Sequence, residues 1–209
     1  GDVVGQSSED AAIQYGIDAS ALGAMRAGRI RLLSTDTGVG VRLRGDMVSN
    51  VDDIIINADG DIEYKSLASV SDISVESHGG SVTQTSDSYA QGTLALTADN
   101  NVSLTGQIEG YDTAVTAKTI DVHGATVLAQ NDLSMVADED IHSDAGHIEA
   151  DDIHLHARDI DLDTTTVLAD DTIALEANRD FLLWSSHVES TNTRLQATDI
   201  ELNDTMVLA

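Results

Sequence analysis

From residue 30 onward, apolar side chains recur at every second position in short runs, and a few polar residues separate one run from the next. Ile153, Leu155 and Ala157 alternate with His154 and His156; Ile160 and Leu162 flank Asp161. A two-residue period belongs to a strand with one face buried. The separators, such as Asp138-Glu139-Asp140, Arg158-Asp159 and Asp163-Thr164-Thr165-Thr166, are residues that tolerate corner geometry. No stretch sustains a helical period, and the asparagine-centred pattern of a leucine-rich repeat is missing.

The pattern also repeats over longer distances. Residues 130–169 and 170–209 align end to end and close on TVLA and MVLA. Each of these units splits again into two. Leu133, Ile153, Ile173 and Thr193 form one column; Met135, Leu155, Leu175 and Leu195 form the next; Ala137, Ala157, Ala177 and Ala197 form a third. Ile141, Ile160, Phe181 and Ile200 follow, then Ser143, Leu162, Leu183 and Leu202, and then Ile148, Val167, Val188 and Val207. A repeat of this size signals a solenoid, whose turns bury their inner faces only by stacking. Three short strands and three corners per turn predict an all-β, right-handed parallel β-helix with about 20 residues per coil and a 40-residue double repeat. The earlier coils are less uniform, with Ile30, Ile54, Ile73 and Leu94 as successive starts. Residues 1–27 fit the columns poorly, and a helical turn capped by Ser20 is one reading of 20–25. No polar capping coil closes the last repeat, so a fragment of a longer filament is expected, its coils spanning on the order of 45 Å.

The doubling has a pattern of its own. In the position after the Ile/Val column the residues run Glu109, Leu128, Glu149, Leu168, Glu189, Leu208. Stacked carboxylates about 4.8 Å apart repel by about 0.9 kcal/mol even in bulk water, and skipping a coil roughly halves that. The double repeat is therefore expected to space like charges.

Composition sharpens this picture. The chain has no proline, which a stack of central strands excludes. Aromatic residues make up 3%, in keeping with a narrow core of Ala, Val, Ile and Leu. The absence of cysteine removes any disulfide frame or thiolate metal site. A net charge of −27 repels phosphates, so neither nucleic acid nor an anionic membrane is an expected partner. No basic segment leads into an apolar run, and no window is long enough to span a bilayer.

Residues 17–47, IDASALGAMRAGRIRLLSTDTGVGVRLRGDM, carry a more specific signal. Gly23, Met25, Ala27-Gly28, Ile30, Leu32 and the run from Gly38 to Val41 resemble the passage from secretion domain to repeat shaft in filamentous haemagglutinin-like and contact-dependent growth inhibition exoproteins. The segment departs from that pattern at Ala24, Arg26 and Asp36-Thr37, and residues 90–209 look like the family's looser repeats. The resemblance implies that 1–27 is the end of a secretion-domain-like region and 28–209 a β-helical shaft. It also implies two-partner secretion from a Gram-negative bacterium through an outer-membrane β-barrel transporter. The full-length protein would then sit at the cell surface and meet a target-cell receptor or host surface. Adhesins, growth-inhibition effectors and haemolysins all occur in this class, and effectors carry their toxic chemistry at the far C-terminus.

The candidate chemistry is sparse. Asp99-Asn100-Asn101, Asp138-Glu139-Asp140 and Asp151-Asp152 offer oxygen ligands for calcium, but the calcium-roll nonapeptide is absent and solvated corners account for the acids. His154 and His156 share an outward strand face near His142, in a pattern that reads as surface histidine rather than metal site. No catalytic residue, metal or cofactor is assigned. Half of the basic residues (Arg26, Arg29, Arg31, Arg42, Arg44) cluster in the family-like motif, which leaves little for a lyase-type site. Leu182 and Trp184 flank inward Leu183 and are the candidate contact residues, expected on the outside beside Leu168 and Leu208. The competing reading folds Trp184 over a corner to cover the core. The expected function is a structural stalk that extends a receptor-binding or toxic tip. The alternatives are a segment that itself binds a receptor or glycan, a haemolysin scaffold and, last, a polysaccharide lyase.

Overall fold

A computed structural model describes residues 14–19 and 23–209. The strands pair in parallel throughout, and each coil stacks on the one before it in a β-solenoid of about nine turns. The described residues contain no helix. Each regular coil presents three faces. Ile153 to Ala157 lies on the first, Asp159–Asp163 on the second, and Thr166 to Ala169 on the third. Some corners are so tight that strand geometry runs through them, as in Asp132–Asp144 and Thr166–Ala177.

The columns read from the sequence are the ladder partners of the structure. Leu133 pairs with Ile153, Ile153 with Ile173, and Ile173 with Thr193. Ile160 pairs with Phe181 and Phe181 with Ile200. The irregular early spacing also holds, since Ile30 pairs with Ile54, Ile54 with Ile73 and Ile73 with Leu94. These inward side chains form one continuous core in which Leu155, Leu175, Phe181 and Val188 are fully buried. Register is fixed because a slip by one residue would turn every one of them outward.

Residues that the sequence placed outside the columns join the same stack. Tyr15–Asp18 and Met25–Ala27 both pair with Gly40–Ser49. Arg42 lies over the Tyr15 ring at 3.9 Å from its centroid and reaches Glu63 at 2.9 Å, tying three successive coils together. Of the helical turn expected at 20–25, Met25 instead begins a strand, and residues 20–22 lie outside the described residues.

The corner after the second face is built from backbone rather than bulk. Gly124, Ala145, Thr164, Ser185 and Asp204 occupy equivalent positions there, all with positive φ. The amide of each of the first four donates to a carbonyl of the following coil, Gly124 to Asp144, Ala145 to Asp163, Thr164 to Trp184 and Ser185 to Asn203, at 2.8–3.0 Å. One residue further on, hydroxyls that are buried at Thr165 and Ser186 and half-buried at Thr205 form a second ladder. Thr165 Oγ1 donates within 2.9 Å of Ser143 Oγ, Ser186 Oγ donates to Leu162 O at 2.9 Å, and Thr205 Oγ1 to Leu183 O at 3.0 Å. Hydroxyl residues suit the inside of the corner because its carbonyls need donors that an aliphatic side chain of the same size would not supply. The left-handed conformation costs a residue with a Cβ about 1 kcal/mol. Ala145→Gly is therefore expected to raise stability by about 0.5–1 kcal/mol, measured as a shift in denaturant midpoint without a change in slope.

Candidate functional site

The outward residues of the second face carry the sequence-nominated pair. Leu182 and Trp184 lie on Asp180–Trp184 with Leu183 pointing inward between them. Leu182 is half-buried, whereas Trp184 is 44% exposed and so stands out from the coil rather than sealing it. Leu183 and the hydroxyl ladder fill the interior there without help from the indole. The ladder also corrects the expected neighbours. Leu182 is stacked between Asp161 and Glu201, and Trp184 between Asp163 and Asn203. Leu168 and Leu208 belong to the third face, around a corner, where Leu168 lies between Glu149 and Glu189. The four apolar residues do not form one patch, because strand alternation sets only inside and outside, while the corner sets which face a residue is on.

Beside Leu182 runs a groove of about 420 Å³ lined by Asp140, His142, Arg158, Asp159, Arg179 and Leu182, among others. Its floor is an ion-pair ladder. Arg158 reaches Asp140 at 2.9 Å and Asp159 at 3.1 Å; Arg179 reaches Asp159 at 2.5 Å and Asp180 at 2.9 Å. Lys118 extends it through Glu139 at 3.5 Å. Asp140, Asp159, Asp180 and Asp199 stack on consecutive coils, and the guanidinium groups neutralise what would otherwise be adjacent like charges.

Many corner acids hold backbone rather than ligand. Asp72 accepts the amide of Thr93 at 2.8 Å, Asp61 that of Ser81 at 2.9 Å, Asp87 that of Gln107 at 2.9 Å, and Asp99 that of Gly79 at 2.8 Å. Each carboxylate thus satisfies an N–H of an adjacent coil where the strand ladder breaks at a corner. The sequence reading of solvated corners missed this, since the partner lies about 20 residues away. Two other corner acids, Asp53 and Asp159, are held below the ordinary carboxylate value. Asp53 is lowered by the Ser71 hydroxyl and then by the Asp72 amide. Asp159 is raised by desolvation, but Arg158, the Asp180 amide and Arg179 outweigh that and lower it. Because these groups bind protons more readily in the unfolded chain, the stability they contribute is present above about pH 4 and is lost as the pH falls through their folded-state values. A thermal midpoint that falls as the pH drops below about 4 is the expected contribution of Asp53 and Asp159; a midpoint indifferent to acid would show that neither carboxylate stabilises the fold.

The histidines also find carboxylates. His147 lies 2.8 Å from Glu149, His187 2.9 Å from Glu189, His123 3.3 Å from Asp144 and His142 3.5 Å from Asp161. His154 and His156 stack on the first face with ring centroids 6.2 Å apart. Among the described residues, no three His, Asp or Glu side chains converge on a point that could hold a metal ion.

The double repeat follows its expected register only in part. Glu109, Leu128, Glu149, Leu168, Glu189 and Leu208 do form one row on the third face. Asp112, Asp132 and Asp152, however, stack without a gap on the first face. The Glu/Leu row thus keeps its carboxylates a coil apart, whereas the Asp row does not.

Curated relatives match parts of this chain. A 16S rRNA endonuclease CdiA of Enterobacter cloacae is 33% identical over 150 residues, 66% of this chain. A toxin CdiA of Yersinia pestis is 50% identical over 44 residues, 21% of the chain, and a tRNA nuclease CdiA of Escherichia coli is 34% identical over 88 residues, 42% of it. The chain is homologous to the CdiA contact-dependent growth inhibition proteins. This is the family that the motif at 17–47 resembles. The matched stretches span only 4%, 1% and 3% of those relatives. No protein-family model and no solved structure matches the chain. Among the described residues, no helix is long and apolar enough to cross a membrane.

Proposed function

We propose that this segment is a non-catalytic stalk of a CdiA-type exoprotein, a stiff rod that carries a receptor-binding or toxic region of the same protein away from the cell surface. The observation that supports it most directly is the unbroken ladder. Columns run from Ile30 to the last coil with parallel pairing on all three faces, so a bend in any direction would strain the ladder hydrogen bonds of whichever face lies on its outer side. An uninterrupted stack of this kind transmits position rather than chemistry.

The same reading places the full-length protein at the surface of a Gram-negative bacterium, exported by an outer-membrane β-barrel partner and meeting a receptor on a target cell. Nuclease activities named for the relatives belong, on this reading, to regions outside the matched stretches. The net charge of −27 supports a surface that neither nucleic acid nor anionic lipid wets. Deleting residues 130–169, one whole double repeat, should leave the flanking columns in register. In the full-length exoprotein, the shortened rod is expected to be secreted and to deliver its activity with at most a modest loss. Loss of target-cell attachment with secretion and folding intact would show instead that the segment is itself the recognition module.

A further inference from the structure

The strand Asp180–Trp184 breaks the repeat on its outer side, and the fold does not require the break. The row through Leu182 reads Arg42, Glu63, Thr83, Ser103, Asp121, His142, Asp161, Leu182 and Glu201, so Leu182 is its sole apolar member. The row through Trp184 reads His123, Asp144, Asp163, Trp184 and Asn203. Two outward polar positions, two residues apart on one strand, have thus become the chain's single tryptophan and a leucine. Inward packing does not call for either, since Phe181 and Leu183, both fully buried, take the inward positions of this strand. Exposed large apolar groups at positions that neighbouring coils keep polar mark a contact surface.

Their surroundings define the partner. Asp161 and Glu201 flank Leu182, and Asp163 adjoins Trp184. The nearby guanidinium of Arg179 is taken up by Asp159 and Asp180. An indole beside carboxylates attracts a cation that carries an apolar stem, which is the chemistry of lysine and arginine side chains. We propose that Leu182 and Trp184 form a docking point for a basic, partly apolar segment of a partner protein, with Asp161 and Asp163 as its counter-charges. This goes beyond the stalk reading and does not depend on it, since a passive rod has no use for the pair.

The single tryptophan supplies the assay, because its emission reports on this site alone. Titrating the purified chain with a peptide of alternating lysine and leucine at moderate salt is expected to give a saturable blue shift, and a glutamate–leucine peptide none. Leu182→Ser and Asp163→Asn alter exposed or half-exposed side chains, so both variants should keep the circular dichroism of the parent. Each is expected to weaken the midpoint about tenfold. The proposal fails if emission is unchanged, or if both variants titrate like the parent, which would show diffuse attraction to an acidic rod. It also fails if neutral oligosaccharide or phosphatidylcholine vesicles shift the emission while the basic peptide does not.

Discussion

Replacing Gln84 by leucine is expected to destabilise the rod by about 2–4 kcal/mol, although leucine is the commonest residue type in that column and similar in size. Gln84 is fully buried and stacked between Tyr64 and Leu104. Its Oε1 accepts the Tyr64 hydroxyl at 2.8 Å, while its Nε2 donates to Ser86 O at 2.6 Å and lies 3.4 and 3.3 Å from Thr105 O and Gln107 O. Those carbonyls sit where two coils turn, so the amide replaces the water that a corner open to solvent would use. Burial raises the Tyr64 pKa, with the Ser88 contact working in the opposite direction, so the phenol stays protonated and must donate. Leucine would strand a buried hydroxyl and the corner carbonyls together. Tyr64→Phe alone should cost about 1 kcal/mol. Combined with Gln84→Leu, it should cost about 1 kcal/mol less than the sum of the two single changes, because the same hydrogen bond is lost only once. Additive denaturant midpoints would show that the pair does not act as a unit.

Gly40→Ala is the second severe change, at about 3 kcal/mol or more. A Cβ on Gly40 would lie 1.9 Å from Asp61 O and 2.9 Å from the Asp61 carbonyl carbon. That oxygen cannot move aside freely, because it accepts the amide of Val41 at 2.9 Å and so opens the ladder between Gly40–Ser49 and Ile62–Ser69. The added methyl must therefore separate coils that the ladder holds together. Gly28, in the same family-like motif, provides the control. A Cβ there meets only Val51 side-chain atoms at 3.7 and 3.8 Å, so Gly28→Ala is expected to change stability by less than about 0.5 kcal/mol. Equal effects from the two substitutions, read by thermal denaturation, would mean that close approach of coils is not what this motif encodes.

The contrast between the two glycines shows how far the sequence could be read. Both appear as motif matches of equal weight, yet only Gly40 faces the backbone of a neighbouring coil. Ladder contacts join residues about 20 positions apart, and a single chain read along its length carries no mark of which atoms will approach one another. The resemblance at 17–47 pointed to the right family because a motif is local. Its physical meaning is not local.

Alternation and columns together determined that the chain is a stacked parallel solenoid and which side chains point inward, from Ile30 to Val207. Inside-versus-outside is set by strand periodicity, and the repeat length by the need of each coil to bury its inner face on the next. What only the tertiary structure decided lies at the corners and on the outer faces. The corners turn Leu168 away from Leu182, bring Asp99 to the amide of Gly79, and line up Thr165, Ser186 and Thr205 as a hydroxyl ladder. They also leave Trp184 outside, among acids. Corner angle depends on backbone conformation at one or two residues per turn, such as positive-φ Ala145 and Thr164, and nothing in the hydrophobic pattern reports it.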